Sequence, residues 1–350
     1  VAIVISPLIA LMKNQVDAMR TFSTESGIAH FLNSSPNKSA IAQVRQDVLE
    51  GRTKLLCFAP ESLTKEDNIA FLRKIKISFY AIDEAHCISE WGYDFRPSYL
   101  KIAKLRDMYP DVPIMALTAS ATPDVVADIK DKLALRTPSN MFQASVERHN
   151  LCYVVRKVED KEEQLLRIVG RVNGSGIVYV RRRNTAEQIA EFLQQQGVSA
   201  SYYHGGLPSE ERAIRQDEWV SGKTRIMVAT NAFGMGIDKR DVRFVVHYSM
   251  SDSLESYYQE AGRAGRDGER SYAVILMASD DNNRIIDIFE KEFPDIELIR
   301  SVYHELCSYL GVAIGDGKEA SFVFNIYDFC RHIKLPIITV YNIKSAFALL

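Results

Sequence analysis

Cysteine is scarce in this 350-residue chain: five are present, Cys57, Cys87, Cys152, Cys307 and Cys330, far apart and with no CxxC pair. Such spacing excludes a disulfide framework of the kind that staples small secreted domains, and it offers no zinc cluster. Also missing is any apolar run near the ~20 residues that cross a bilayer, and any basic, apolar, small-residue signal pattern at the start. A soluble cytoplasmic protein with reduced cysteines is therefore expected. Charge of one sign is absent too: 43 Lys and Arg face 45 Asp and Glu, a net of -2. No global positive field advertises nucleic acid, so any binding to phosphates must come from local basic stripes.

What is present is apolar residue in the amount that two or three separate cores need: 47% of the chain is hydrophobic and 25% charged, and single cores stop growing well below this length. The chain opens on Val1-Ala2-Ile3-Val4-Ile5, a β-branched run that reads as the inside of a sheet strand, so a natural start there is not expected. Residues 55–59, 79–83 and 114–118 repeat the pattern between helix-length segments, which predicts an α/β domain with a parallel sheet over residues 1–145. The series restarts at residues 176–180, 200–204, 226–230, 244–248 and 272–276, predicting a second α/β domain over residues 146–280.

After residue 280 the period changes. Ile296, Ile299, Val302, Tyr303, Leu306 and Leu310 fall on one helical stripe that Gly311 can end. Residues 325–333, then Leu335-Pro336, then a helical pattern over residues 339–350 read either as a helix-turn-helix or the start of a winged helix, or as a packing hairpin. Residues 281–350 are thus a helical element to which no chemistry is assigned.

The apolar residues 79–82 deliver Asp83-Glu84-Ala85-His86 to the carboxyl end of a strand, where α/β sheets bind ligands. Adjacent carboxylates there can divide two tasks: Asp83 holding Mg²⁺, Glu84 orienting and deprotonating a water that attacks a γ-phosphate. His86 can report hydrolysis to neighbouring loops. Alone, this tetrapeptide could equally be a solvated turn. Thr118-Ala119-Ser120-Ala121-Thr122 follows the next strand with small hydroxyl residues that could couple a nucleotide to a second domain, or simply cap a helix.

Together with Gln259-Glu260-Ala261-Gly262-Arg263-Ala264-Gly265-Arg266-Asp267-Gly268, these segments resemble motifs II, III and VI of superfamily-2 helicases. Cys87-Ile88-Ser89-Glu90-Trp91-Gly92-Tyr93-Asp94-Phe95-Arg96-Pro97 narrows the resemblance to the RecQ family, being similar to the aromatic-rich loop that follows motif II there. Physically, Trp91, Tyr93 and Phe95 could stack on unpaired bases and Arg96 could add a cation-π or phosphate contact, or the aromatics could only anchor the loop. Ser6-Pro7-Leu8-Ile9-Ala10-Leu11-Met12-Lys13 resembles motif Ia and Ala59-Pro60-Glu61-Ser62-Leu63 motif Ib. The resemblance implies that Ser6, Lys13 and Glu61 lie along a DNA backbone, although either segment could be an ordinary strand-to-helix junction.

In the second domain, residues 179–183 and 203–207 resemble motif IV and the strand-loop after it, with Arg181-Arg182 in place of smaller polar residues. Ala229-Thr230-Asn231-Ala232-Phe233-Gly234-Met235-Gly236-Ile237-Asp238 resembles motif V. Gly236 there permits close approach of backbone to phosphate, Asp238 can contact ribose, and Thr230 and Asn231 are candidate DNA contacts. Gln259, Arg263 and Arg266, spaced by four and three, are expected on one helical face, with both guanidiniums reaching a γ-phosphate and Arg266 as arginine finger.

Two family features do not appear. No Gly-rich turn ending in Gly-Lys-Ser/Thr follows a strand. Gly222-Lys223-Thr224 precedes one and reads as a turn. Cys307 and Cys330 lack partners for the four-cysteine zinc site that many RecQ proteins carry, so no zinc site is expected.

The resemblance implies two RecA-like domains with parallel sheets flanked by helices, fuelled by ATP and Mg²⁺. It implies an ATP-dependent DNA helicase moving 3′ to 5′ on single-stranded and partly duplex DNA, in repair or recombination. Residues 1–350 alone are expected to hydrolyse ATP poorly. The alternatives are a catalytically silent DNA-binding module and a DEAH-type RNA helicase.

Overall fold

The computed structural model describes residues 1–350 apart from residues 8, 24–26, 33–37, 90–94, 235–236, 293, 314–320 and 348–350. Trp91, Tyr93 and Gly236, all expected at the site, lie outside the described residues. Two compact units result. One comprises Val1–Arg156 and Asp160–Leu276, the other Lys157–Glu159 and Met277–Leu350.

The larger unit contains two sheets. The first is built from β1 (Ala2–Ile5), β2 (Ala29–Leu32), β3 (Leu55–Phe58), β4 (Phe79–Ile82) and β5 (Ile114–Ala116), in the order β2-β3-β1-β4-β5 with every pairing parallel. Between the strands run α1 (Ile9–Thr21), α2 (Lys38–Leu49), α3 (Glu66–Leu72), α4 (Lys104–Met108) and, after β5, α5 (Pro123–Lys132). The central strands are buried on both sides: Ile3, Ile5, Leu56, Phe58 and Ile82 are closed to solvent, which is why they read as continuous apolar runs. Start signals for α5 are explicit, with Thr122 accepting from the Val125 amide, Pro123 in the first turn and Lys130 and Lys132 in the last.

The second sheet takes β6 (Leu151–Lys157), β7 (Ser175–Tyr179), β8 (Ala200–Tyr203), β9 (Ile226–Ala229), β10 (Val242–His247) and β11 (Ser271–Met277) in the order β6-β11-β10-β7-β9-β8. Its helices are α6 (Lys161–Arg171), α7 (Arg183–Gln195), α8 (Ser209–Val220) and α9 (Leu254–Ala261). Trp219 of α8 is fully buried against Phe233 and its indole N–H donates to the Gly176 carbonyl at 3.2 Å, satisfying the one polar atom that such a large side chain brings inside. Both sheets are α/β and parallel, as expected. The expected series omits β2 and β6, both edge strands.

The smaller unit holds α10 (Asp281–Glu292), α11 (Ile296–Leu310), α12 (Ile326–Ile333) and α13 (Ile337–Phe347), with Val302, Phe329, Cys330, Val340 and Ile343 at its core. Gly311 ends α11 in the left-handed conformation at φ 67°, as the stripe predicts, although Ile296 at the head of that stripe is exposed. Asn325 caps α12 by accepting from the Tyr327 amide at 3.0 Å. Cys307 and Cys330 are both buried, and no group of three or more His, Cys, Asp or Glu placed to hold a metal occurs among the described residues.

Candidate active site

β4 passes next to β1, and the chain leaves it at Asp83. The amide of Asp83 donates to the Ile5 carbonyl at 2.8 Å, its carbonyl accepts from the Tyr99 hydroxyl at 2.9 Å, and its Oδ1 accepts from the Glu84 amide at 3.0 Å. Its Oδ2 accepts from the side-chain amide of Gln15 on α1 at 2.8 Å. The carboxylate is therefore held by its own turn and by a neighbouring helix. Tyr99 is fully buried, and that burial pushes its phenol well above the usual range, so it remains a donor to Asp83 at any ordinary pH.

Glu84 sits at φ 48°, ψ 46°, left-handed backbone that a non-glycine residue adopts at a cost of about 1–2 kcal/mol. Strain of this kind persists where the surroundings over-determine it. The Glu84 side chain lines a cavity, and its Oε2 lies 3.4 Å from His86 Nδ1. His86 is buried, and the same Nδ1 lies 3.0 Å from Thr118 Oγ1. The strand-end turn is thus tied to residues 118–122 and, through the Thr122 cap, to α5.

The cavity measures about 480 Å³ and opens between the two sheets. From the first sheet's side come Leu11, Asn14, Glu84 and Ala119, and from the second's Asp238, Gln259, Arg263 and Arg266. Two groups of residues from distant parts of the sequence thereby share one space. Arg148, Tyr153 and Tyr258 also line it and were not expected from sequence. Arg148 donates to the carbonyls of Ala264 and Gly265 at 3.1 and 2.7 Å, and Asn150 to Gly265 at 2.8 Å, buttressing the arginine-bearing turn.

The single helical face expected for Gln259, Arg263 and Arg266 does not form. Gln259 is helical, but α9 stops at Ala261, and Arg263 and Arg266 stand in the turn of residues 262–268. Gly262 caps the helix, and Gly265 turns left-handed at φ 64° while donating to the Val242 carbonyl at 2.9 Å. No single helical face carries all three side chains, yet the turn brings them to the same cavity. Arg263 is buried and donates to the Gly234 carbonyl. Arg266 is more open, donating to the Ile237 carbonyl and to Asp238 Oδ1, each at 3.0 Å.

The remaining expected residues scatter. Ser6 is closed to solvent under the end of β1, whereas Lys13 and Glu61 are exposed. Phe95 lies beneath the Lys132 ammonium at 6.0 Å, and Arg96 donates to the Pro7 carbonyl at 3.3 Å. Thr230 is buried, and exposed Asn231 lines a small cleft with Arg181, which pairs with Asp252 at 2.9 Å. Residues 222–224 form a turn after α8, as read from sequence.

Residues 1–129 match the DEAD/DEAH box helicase family, and residues 160–268 match the helicase conserved C-terminal domain. The paired parallel sheets share their fold with solved structures: the Mycobacterium smegmatis helicase Lhr bound to ssDNA and AMP-PNP superposes with a TM-score of 0.60 at 21% identity, covering 79% of this chain and 39% of that one. Helicase MrfA bound to DNA gives 0.64 at 16%, covering 83% and 42%.

Within that class the chain belongs to the RecQ family. It is 44% identical over 275 residues to the ATP-dependent DNA helicase RecQ of Pasteurella multocida, covering 78% of this chain and 43% of that protein. Against RecQ of Bacillus subtilis (strain 168) it is 44% identical over 282 residues, covering 80% and 47%. The chain therefore spans less than half the length of these two relatives.

Proposed function

We propose that this chain is the motor of an ATP-dependent DNA helicase, with residues 1–145 and 146–280 as its two RecA-like lobes. The observation that carries this reading is the cavity in which Glu84 from one sheet faces Gln259, Arg263 and Arg266 from the other. Phosphoryl transfer needs positioned charge more than covalent chemistry, and a base and cations on opposite walls supply it. Glu84 takes the proton of the attacking water. Arg266 leaves its exposed ion pair with Asp238, which exchanges readily because such pairs are worth little in water, and stabilises charge on the transferring phosphoryl group. Arg263, anchored on Gly234, fixes the wall from which Arg266 works.

Mg²⁺ fits Asp83. This cation is held by one or two carboxylates together with substrate phosphates and several waters, so it does not need a dedicated protein cage. Asp83 is a fixed carboxylate at a strand end, and beside it the Gln15 Oε1 is buried without a partner, an acceptor suited to a cation-bound water. When bound, Mg²⁺ neutralises charge on the β- and γ-phosphate oxygens. His86 and Thr118 carry the state of the site to α5.

On this reading the substrate is DNA, tracked 3′ to 5′ along a single strand in chromosomal repair or recombination in the cytoplasm. Lys13, Phe95, Arg96 and Asn231 are the described candidates for touching it. Residues 1–350, where among the described residues no strand leads into a Gly-Lys-Ser/Thr loop, hydrolyse ATP poorly on their own. The test is ATP turnover by the full-length protein with no nucleic acid, with single-stranded DNA and with single-stranded RNA. Stimulation by DNA well above that by RNA is expected; stimulation by RNA alone, or by neither, overturns the reading.

A further inference from the structure

We propose that Gln15 is a positioning residue of the cation site: its amide nitrogen fixes the Asp83 carboxylate, and its amide oxygen accepts from a water on the cation that Asp83 holds. This inference rests on the reading of Asp83 as the cation ligand given above.

Three observations meet at this side chain. The first is the 2.8 Å hydrogen bond from Gln15 Nε2 to Asp83 Oδ2, spanning 68 residues of sequence. With Oδ1 taken by the Glu84 amide at 3.0 Å, the two donors together define the plane of the carboxylate. The second is chemical. An ionised carboxylate only accepts, so the amide must present its nitrogen to Asp83 and its oxygen elsewhere. The third is that this oxygen is buried and has no partner.

A buried carbonyl oxygen left without a donor costs about 1–3 kcal/mol, and a native fold retains such a cost where something supplies the donor. Water on a divalent cation is a strong donor, and Mg²⁺ keeps several of its waters when a protein binds it through a carboxylate. Partners that orient the ligands of a metal are regularly as consequential as the ligands. Gln15 has the geometry for both halves of that role at once, and it reaches the site from α1, whose Leu11 and Asn14 line the cavity. The helix that follows β1 is thereby coupled to the cation through a single side chain. A plain tie between α1 and β4 would account for the nitrogen contact and leave the oxygen unexplained.

The experiment uses the full-length protein with Mn²⁺ as probe, its free concentration read by electron paramagnetic resonance in the presence of AMP-PNP. Gln15→Leu removes both hydrogen-bonding atoms at similar volume, and Gln15→Asn keeps the amide one methylene short, serving if the leucine variant fails to fold. Mn²⁺ affinity is expected to fall about 10- to 100-fold in Gln15→Leu and by less in Gln15→Asn. AMP-PNP affinity in EDTA is expected to stay at the wild-type value, which a general loss of structure would not allow. A folded variant that binds Mn²⁺ within about twofold of wild type overturns the inference. Wild-type protein that binds no Mn²⁺ with AMP-PNP overturns instead the reading of Asp83 on which it rests.

Discussion

Gly265 sits inside the turn that presents both arginines, and its replacement by alanine has a cost that can be divided into two parts. Its φ of 64° is left-handed, and an added Cβ would stand 2.5 Å from Asn150 Nδ2, 2.8 Å from Ser271 Oγ and 2.9 Å from the Glu269 carbonyl oxygen. The backbone part is about 1–2 kcal/mol. The steric part is about 1–3 kcal/mol, since one of the crowded atoms is main chain and cannot swing aside. Gly268 provides the internal control: its φ is 87°, and nothing lies within 4 Å of a Cβ there. Gly265→Ala should therefore lose about 2–5 kcal/mol and Gly268→Ala only about 1–2 kcal/mol. Urea denaturation followed by the fluorescence of Trp219, in a Trp91→Phe background, reports on the second sheet's core directly. Equal losses for the two variants would refute the crowding argument and with it the account of how the turn is held.

Other perturbations follow from the same contacts. Glu84→Gln in the full-length protein should abolish DNA-stimulated ATP hydrolysis while leaving nucleotide binding measurable by fluorescence titration; retained turnover would remove Glu84 as base. Tyr99→Phe leaves the Asp83 carbonyl without its 2.9 Å donor and should cost about 1–3 kcal/mol in a urea titration; a change near zero would show that the hydroxyl does not hold the strand end. The Arg243 side chain bonds Asp267 and holds its carboxyl below the ordinary 3.8. A depressed carboxyl contributes stability above its unfolded value and loses it as pH falls through the lower folded value. The wild type should thus be more stable than Arg243→Gln near neutral pH, and this advantage should shrink below about pH 4. A gap that stays constant with pH would mean that the pair is not the source.

How much of this was legible in sequence depended on whether residues share a local pattern. The strands β1, β3, β4, β7, β9 and β10 are buried on both faces, so each appears as an apolar run with a polar turn after it. β2, Ala29–Leu32, and β6, Leu151–Lys157, lie at sheet edges with mixed burial, and an edge strand needs no continuous apolar run. Asp83, Glu84 and His86 were readable as candidates because three chemically active side chains fall within four residues at the end of a strand. Arg263 and Arg266 were readable as residues but not as geometry, since the spacing looks helical and the two glycines that end the helix override it.

Gln15, Tyr99 and Arg148 carried no signal. A single glutamine in an amphipathic helix, a tyrosine in a 3-10 turn and an arginine in an irregular connection reach the site only through partners that are 68, 16 and 116 residues away. Ser6 shows the opposite failure: a motif-like position whose side chain is closed to solvent.

On the proposed function, two sheets share one nucleotide site, with a base on one wall and a guanidinium supplied by the other. The most direct measurement is single-stranded-DNA-stimulated ATP turnover by the full-length Arg266→Ala variant, with ATP affinity measured in parallel. An arginine that acts only on the transition state is worth about 10³–10⁵ in turnover, so a fall of at least about 10³-fold at little changed affinity is predicted. Turnover within about tenfold of wild type would contradict the claim, because the wall that carries Arg266 would then contribute no chemistry.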